Sequence, residues 1–349
     1  MITILSLIEK GYANWNNAKV LMEVADTLET LNRLNFALTF AKRAIELEPA
    51  ASYEPYLTWS FVCFRSAEVP DEQGQKALED GYAATKSAVS RAWMAAVAKT
   101  DEDADQWLEE AKQDESFDAQ AAIANAYSWR RKTNDAYQVL KTFPERFSNE
   151  GQPEWGSYCG MLMYLKQTGM DQDLERDVLP VIHKLLEVHP ELPSNYNLLM
   201  RYHTVMGNHE AAREAALRCL AMFPDDETTM YTLAGIYEKL GDIETAKHWC
   251  SRAIGAKHSY VGARIRLAGY YEQDGNVELA DSLMEEIPVV NPLYKFGSVR
   301  LAVYRLKRGK EEEAISLFRE VYPTLQPWEQ ASVAGNEQGK ELLQKSGLA

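Results

Sequence analysis

Cationic side chains are scarce in this chain of 349 residues: Lys and Arg total 37 against 52 Asp and Glu, for a formal net charge of -15. Binding to phosphate backbones or anionic lipid rests on clustered Lys and Arg, so neither nucleic acid nor a membrane surface is an expected partner. Cysteine is also sparse. Cys63, Cys159, Cys219 and Cys250 form no CxxC pair, which removes the usual metal-ligand spacing, and a disulfide framework belongs to short secreted chains; buried, reduced thiols are expected. The six histidines make no HExxH, and His183 and His189 lie on different faces of any helix that carries both, at the core edge or in solvent. No apolar run reaches the roughly 18 residues of a membrane span. The opening MITILSLIEKGYANWNN has no basic flank and soon meets Glu9 and Lys10, unlike a signal peptide, so the cytoplasm is the expected location. Nucleophile elbows, phosphate-binding glycine loops and Rossmann glycines are missing too. No cofactor, metal or catalytic residue is expected.

What the chain does have is one hexapeptide written four times. GNHEAA, GDIETA, GNVELA and GKEEEA begin at Gly207, Gly241, Gly275 and Gly309 and close on Ala212, Ala246, Ala280 and Ala314, both series stepping by 34 residues. Between glycines the apolar spacing is helical twice over. Met230, Leu233, Ala234, Tyr237 and Leu240 form one stripe, and Ala246, Trp249, Cys250, Ala253 and Ile254 form a second. Gly241 suits the left-handed residue that ends a helix, and Asp242 is placed to cap the next. The alanine sits where the second helix crosses nearest the first, and a larger side chain there would force the axes apart. Pro190, Pro224 and Pro292 follow most second helices, with His258 in the remaining slot; proline cannot continue a helix and so fixes where the next unit starts.

A small residue in the first helix, Gly at the turn, Ala in the second helix and Pro at the end is the pattern of the tetratricopeptide repeat, and the units resemble that family. The clearest copies run 193–226, 227–260, 261–294 and 295–328, with Met200, Ala234, Ala268 and Ala302 in the small-residue slot. Residues 18–51 give a further copy with Ala25, Ala37, Ala44 and Pro49, and Asn35 near the place of the turn glycine. The stretch 155–192 fits with Gly169 at its turn and an insertion around MDQDLER, while 52–87, 88–116 and 117–148 read as hairpins of uneven length with Ala77, Ala104 and Ala136 as spacers. The resemblance implies an all-α protein, an α-solenoid of about nine stacked helix-turn-helix hairpins in a right-handed superhelix with a C-terminal capping helix. The expected organisation is irregular N-terminal repeats over 1–148, a regular array over 149–328 and a polar capping helix over 329–349. The Pro- and Gly-rich FPERFSNEGQPEWG from Phe143 is the expected seam.

The resemblance further implies a non-catalytic scaffold or adaptor that holds a peptide or helix of another protein against the first helices. In the family's inner register this sequence carries Asn197, Arg201, Tyr231, Arg266 and Arg300. Arg266 and Arg300, 34 apart, would stand side by side and could capture carboxylates of an acidic partner; equally, each could pair with a nearby acid such as Glu238 or Glu272. Of the residues that clamp chaperone tails in related repeats only the last is matched in either of two registers, where those slots hold Asn197, Arg201, Thr232, Gly262 and Arg266, or Tyr231, Gly235, Arg266, Phe296 and Arg300, so that clamp is not expected here. The acidic run TDEDADQWLEEAKQDESFD from Thr100 reads either as a lure for a basic partner or as a solvated helix face. Self-association through an end unit, and an enzyme with a spatially assembled site, are the alternative readings.

Overall fold

The computed structural model describes residues 4–31, 33–65, 71–148, 151, 155–169, 172–325 and 327–348, and among them all regular structure is helical. The chain divides into two compact units, Met1–Val205 and Met206–Ala349. The division falls inside the copy 193–226. The stretch from Phe143, expected to be a seam, lies within the first unit.

In the first unit, α1 (Ile4–Ala13) precedes a succession of hairpins. These pair α2 (Ala18–Thr30) with α3 (Leu34–Leu47), α4 (Glu54–Arg65) with α5 (Asp71–Thr85), α6 (Ala88–Ala96) with α7 (Asp101–Ala111), and α8 (Phe117–Trp129) with α9 (Thr133–Leu140). The short α10 (Phe143–Arg146) follows, then α11 (Trp155–Gln167), α12 (Leu174–Asp177), α13 (Leu179–Val188) and α14 (Pro193–Val205). Ala37, Ala77, Ala104 and Ala136 are all fully buried in second helices.

Their turns differ from the regular ones. Arg131 stands five residues before Ala136, as each repeat glycine does before its alanine, and takes the left-handed conformation at φ +58°. The amide of Lys132 then donates back to the carbonyl of Tyr127 at 2.9 Å, closing the helix as the glycine turns do. Asn35 lies within α3, and the first copy turns before Arg33, whose amide donates to Leu28 at 2.7 Å. Of the insertion expected around MDQDLER, Met170 and Asp171 lie outside the described residues, and its later part enters α12. Pro180, at the start of α13, has no N–H to continue the preceding helix, which accounts for the break. Phe143 and Trp155 are buried and pack with Phe117, so FPERFS is a packed corner, not a linker.

The second unit runs through α15 (His209–Met222), then α16 (Glu227–Lys239) with α17 (Ile243–Ala256), and α18 (Val261–Gln273) with α19 (Val277–Glu285) and α20 (Ile287–Val290). It ends with α21 (Lys295–Lys307) against α22 (Glu311–Val321), α23 (Pro327–Ala334) and α24 (Glu337–Ser346). The repeat glycines sit at φ +75° to +82°, where an L side chain is strained. Asp242 caps α17, accepting from the amide of Thr245 at 3.0 Å, and that bond holds its carboxyl below the usual carboxylate range. Each unit's second helix lies on the next unit's first: α15 packs on α16, and α17 on α18. Ala234, Ala246, Cys250 and Leu267 share one core through this stacking. Because Ala246 is fully buried at the helix crossing, Ala246→Leu is expected to cost about 2 kcal/mol from overpacking; an unchanged urea midpoint would show that the crossing has slack.

α24 is the expected polar cap. Leu342 and Leu343 face the core formed by Phe318, Val321 and Val333, while Lys345 pairs with Glu311 at 2.7 Å on the outside.

Candidate interaction surfaces

The five inner-register residues fall into two groups, one in each unit. On α14, Asn197 and Arg201 are one helical turn apart and so share a face. This face lies against α11 at two glycines: an added Cβ at Gly160 would stand 3.6 Å from Nη1 of Arg201, and one at Gly156 would stand 3.3 Å from Leu198. Gly160 thus lies beneath the guanidinium, while Gly156 accommodates Leu198. Arg201 is half-buried, and desolvation alone lowers its pKa, with no carboxylate contributing. The Oδ1 of Asn197 is buried and accepts no hydrogen bond. A half-buried cation and a buried acceptor atom thus stand one helical turn apart without partners among the described residues.

In the second unit, Arg266 is committed to the fold. Its guanidinium stacks on Tyr231, 4.0 Å from the ring centroid, and Nη1 donates to the Tyr231 carbonyl at 2.9 Å. Gly235 makes this possible, since a Cβ there would come within 2.7 Å of Nη1. Tyr231 also meets Tyr260 edge to face at 5.4 Å. Arg300, in the equivalent slot on α21, is exposed. Its counterpart glycine, Gly269, has nothing within 4 Å of an added Cβ. Equivalent positions in sequence therefore carry one structural arginine and one solvent-facing arginine. Among the described residues, neither is in ion-pair range of a carboxylate; Glu238 instead accepts from the Tyr270 hydroxyl at 2.6 Å.

Sequence reasoning passed over Arg264, which is 1% exposed. It donates to the His258 carbonyl at 2.5 Å, lies 3.2 Å from the His258 Nδ1, and pairs with Glu286 at 3.3 Å. The signal was available: His258 is the residue standing where the other copies have proline, and Arg264 ties down the turn that proline fixes elsewhere.

All four cysteines are buried, and burial pushes the Cys159 and Cys250 thiols up to about 12 and Cys219 to about 11, well away from thiolate reactivity. Among the described residues, no three His, Cys, Asp or Glu side chains are grouped to hold a metal ion, and no helix is long and apolar enough to cross a membrane. The acidic run from Thr100 begins α7, with Thr100 accepting from the amide of Asp103 and Asp101 bonded to Arg130.

Stacked helix hairpins with glycine turns and alanine crossings define a class of all-helical repeat protein. Residues 228–258 match the tetratricopeptide repeat model, covering most of α16 and α17. No curated protein sequence matches the chain. Among solved structures, that of MamA is 18% identical, covering 48% of this chain and 94% of its own, at a TM-score of 0.34. The Cut9-Hcn1 hetero-tetramer of the APC/C is 12% identical at a TM-score of 0.51, a likeness of fold, and covers 94% of this chain. This chain spans 63% of the chain it matches there. The chain thus carries a tetratricopeptide repeat over residues 228–258, set within a succession of helix hairpins of the same kind.

Proposed function

We propose that the protein is a non-catalytic interaction scaffold that holds an acidic segment of another protein against its first helices, with Arg201 and Asn197 as the principal anchor. In the second unit, Arg300 is a separate exposed cation, and Arg266 holds Tyr231 in place. The observation that carries this reading is the desolvated Arg201 beside the orphaned Asn197 oxygen. A cation removed from water without an anion destabilises the free protein, and a partner's carboxylate would supply the missing charge-assisted bonds.

This reading makes a prediction that a structural role does not share. Arg201→Met removes an unpaired, half-buried charge while keeping most of the volume, so the free protein is expected to gain about 1 kcal/mol of stability. The same change is expected to weaken acidic peptides selected from a random displayed library by about tenfold or more, equivalent to about 1.4 kcal/mol. Urea unfolding and peptide titration check the two halves. A destabilised Arg201→Met protein, or one that binds those peptides as the parent does, removes the anchor role.

A further inference from the structure

The first unit contains a cleft of about 820 Å³ that no inner-register residue of the regular copies touches. Its walls are the first helices of four successive hairpins, α2, α4, α6 and α8, together with the turn between α3 and α4. Each helix contributes one stripe at helical spacing. α2 gives Met22, Glu23, Asp26 and Glu29; α4 gives Glu54, Leu57 and Phe61; α8 gives Asp118, Ala122 and Asn125. The cleft is therefore the inner face of this unit, formed by the same stacking that buries its spacer alanines.

Two features set its chemistry. Carboxylates dominate: Glu23, Asp26, Glu29, Glu48, Glu54 and Asp118 line it against one ammonium, Lys19, with Lys10 reaching Glu23 at 3.4 Å from outside. Water still reaches Asp26, yet the crowding walls and the neighbouring charge of Glu54 lift its pKa above the usual carboxylate range. Beside the acids stands an aromatic wall. Phe61 and Trp93 meet edge to face at 4.8 Å, and Trp93 meets Trp129 in the same way at 5.9 Å. Tyr53 donates from its hydroxyl to Asp118 at 3.2 Å, tying the α3–α4 turn to α8.

A small cation does not suit this arrangement, because the carboxylates are strung along the walls and do not converge as a ligand set. Glu23, Asp26 and Glu29 span six residues of helix, about 9 Å of rise. Alternate side chains of an extended peptide are about 7 Å apart, so a chain with spaced cations can face more than one of these acids at once. Lys and Arg stems also lie well on aromatic rings while their heads reach carboxylates.

We infer that this cleft is a docking site for a basic segment of another protein, an extended stretch carrying two or more Lys or Arg whose cations meet Asp26, Glu54 and Asp118 and whose stems lie on Phe61 and Trp93. The site is separate from the Arg201 anchor and opposite to it in charge. It gives the protein a second, distinct class of ligand.

The test is a random twelve-residue peptide library displayed on phage, selected on the full chain and sorted again on the double variant Asp26→Asn/Glu54→Gln. A class of clones enriched in Lys and Arg is expected, whose synthetic peptides lose at least tenfold in affinity on the double variant and weaken steeply with added salt. Glu48→Gln, on an exposed turn, is expected to weaken the same peptides by a smaller factor with the fold undisturbed, while Arg201→Met leaves them unaffected. A selection that yields no class of clones enriched in Lys or Arg overturns the inference. So do basic peptides that bind the double variant and Glu48→Gln as tightly as the parent, since that would mean attraction to the acidic chain at large.

Discussion

Arg264→Ala will remove about 3–5 kcal/mol from the stability of the second unit, the loss that follows when one partner of a buried ionic cluster is deleted. The guanidinium is 1% exposed and binds the carbonyl of His258, the histidine that stands where the sister copies place proline. Without it the carbonyl of His258 loses its donor, the ring loses its neighbour and a void opens against α20. Arg264→Met keeps most of the volume and forfeits the bonds, so its expected cost is smaller, about 1–2 kcal/mol. Lys in place of Arg is expected to resemble Met more than Arg, since a single ammonium cannot present the planar fork that reaches His258 and Glu286 together. Hydrogen exchange over residues 257–290 reads the effect locally. Protection factors unchanged by Arg264→Ala would mean that the turn is held by other contacts.

The second large effect is at the end of the chain. A Cβ on Gly339 would stand 2.1 Å from the carbonyl oxygen of Val333 and 2.8 Å from its carbon, an overlap with backbone that no rotamer relieves. The Gly339 amide is also the donor to the Asn336 cap at 2.8 Å, so the residue cannot swing away without uncapping α24. Gly339→Ala is expected to cost about 3 kcal/mol and to lift α24 from α22, exposing Phe318 and Leu342, both fully buried in the parent. Dye binding to exposed apolar surface and faster proteolysis after residue 336 check it. If the variant keeps the parent's protease resistance, α23 and α24 move together more readily than their packing suggests.

These two sites differ in how far the sequence announced them. The copies without a turn glycine could still be registered through their alanines: Ala77, Ala104 and Ala136 were assigned from spacing and are fully buried. A methyl group at a helix crossing is a local requirement that leaves a periodic mark. Arg131 shows the same principle from the other side. It occupies a glycine slot in the left-handed conformation, and only its distance from Ala136 gives the turn away. Arg264 left one indirect mark, the missing proline at 258. Gly339 left none, because what forbids a side chain there is the backbone of a neighbouring helix.

The candidate surfaces were the least legible part. Arg266 and Arg300 occupy the same slot one repeat apart, yet one is locked over Tyr231 and Gly235 and the other faces solvent. Arg201 stands out for a reason invisible in its own repeat: its guanidinium lies over Gly160 on α11, while no carboxylate stands beside it. The acidic cleft collects its charges from Glu23 to Asp118, residues nearly a hundred apart whose runs, taken singly, read as ordinary solvated faces.

By itself the sequence determined the helices of the regular copies, their pairing into hairpins and the positions of their glycine turns and alanine crossings, because those depend on interactions within one repeat length and so recur with its period. Only the tertiary structure decided which polar side chains are deprived of water and which carboxylates share a cleft. Burial and electrostatic environment are set by every neighbour in three dimensions, and those neighbours come from different repeats whose surface residues follow no common period.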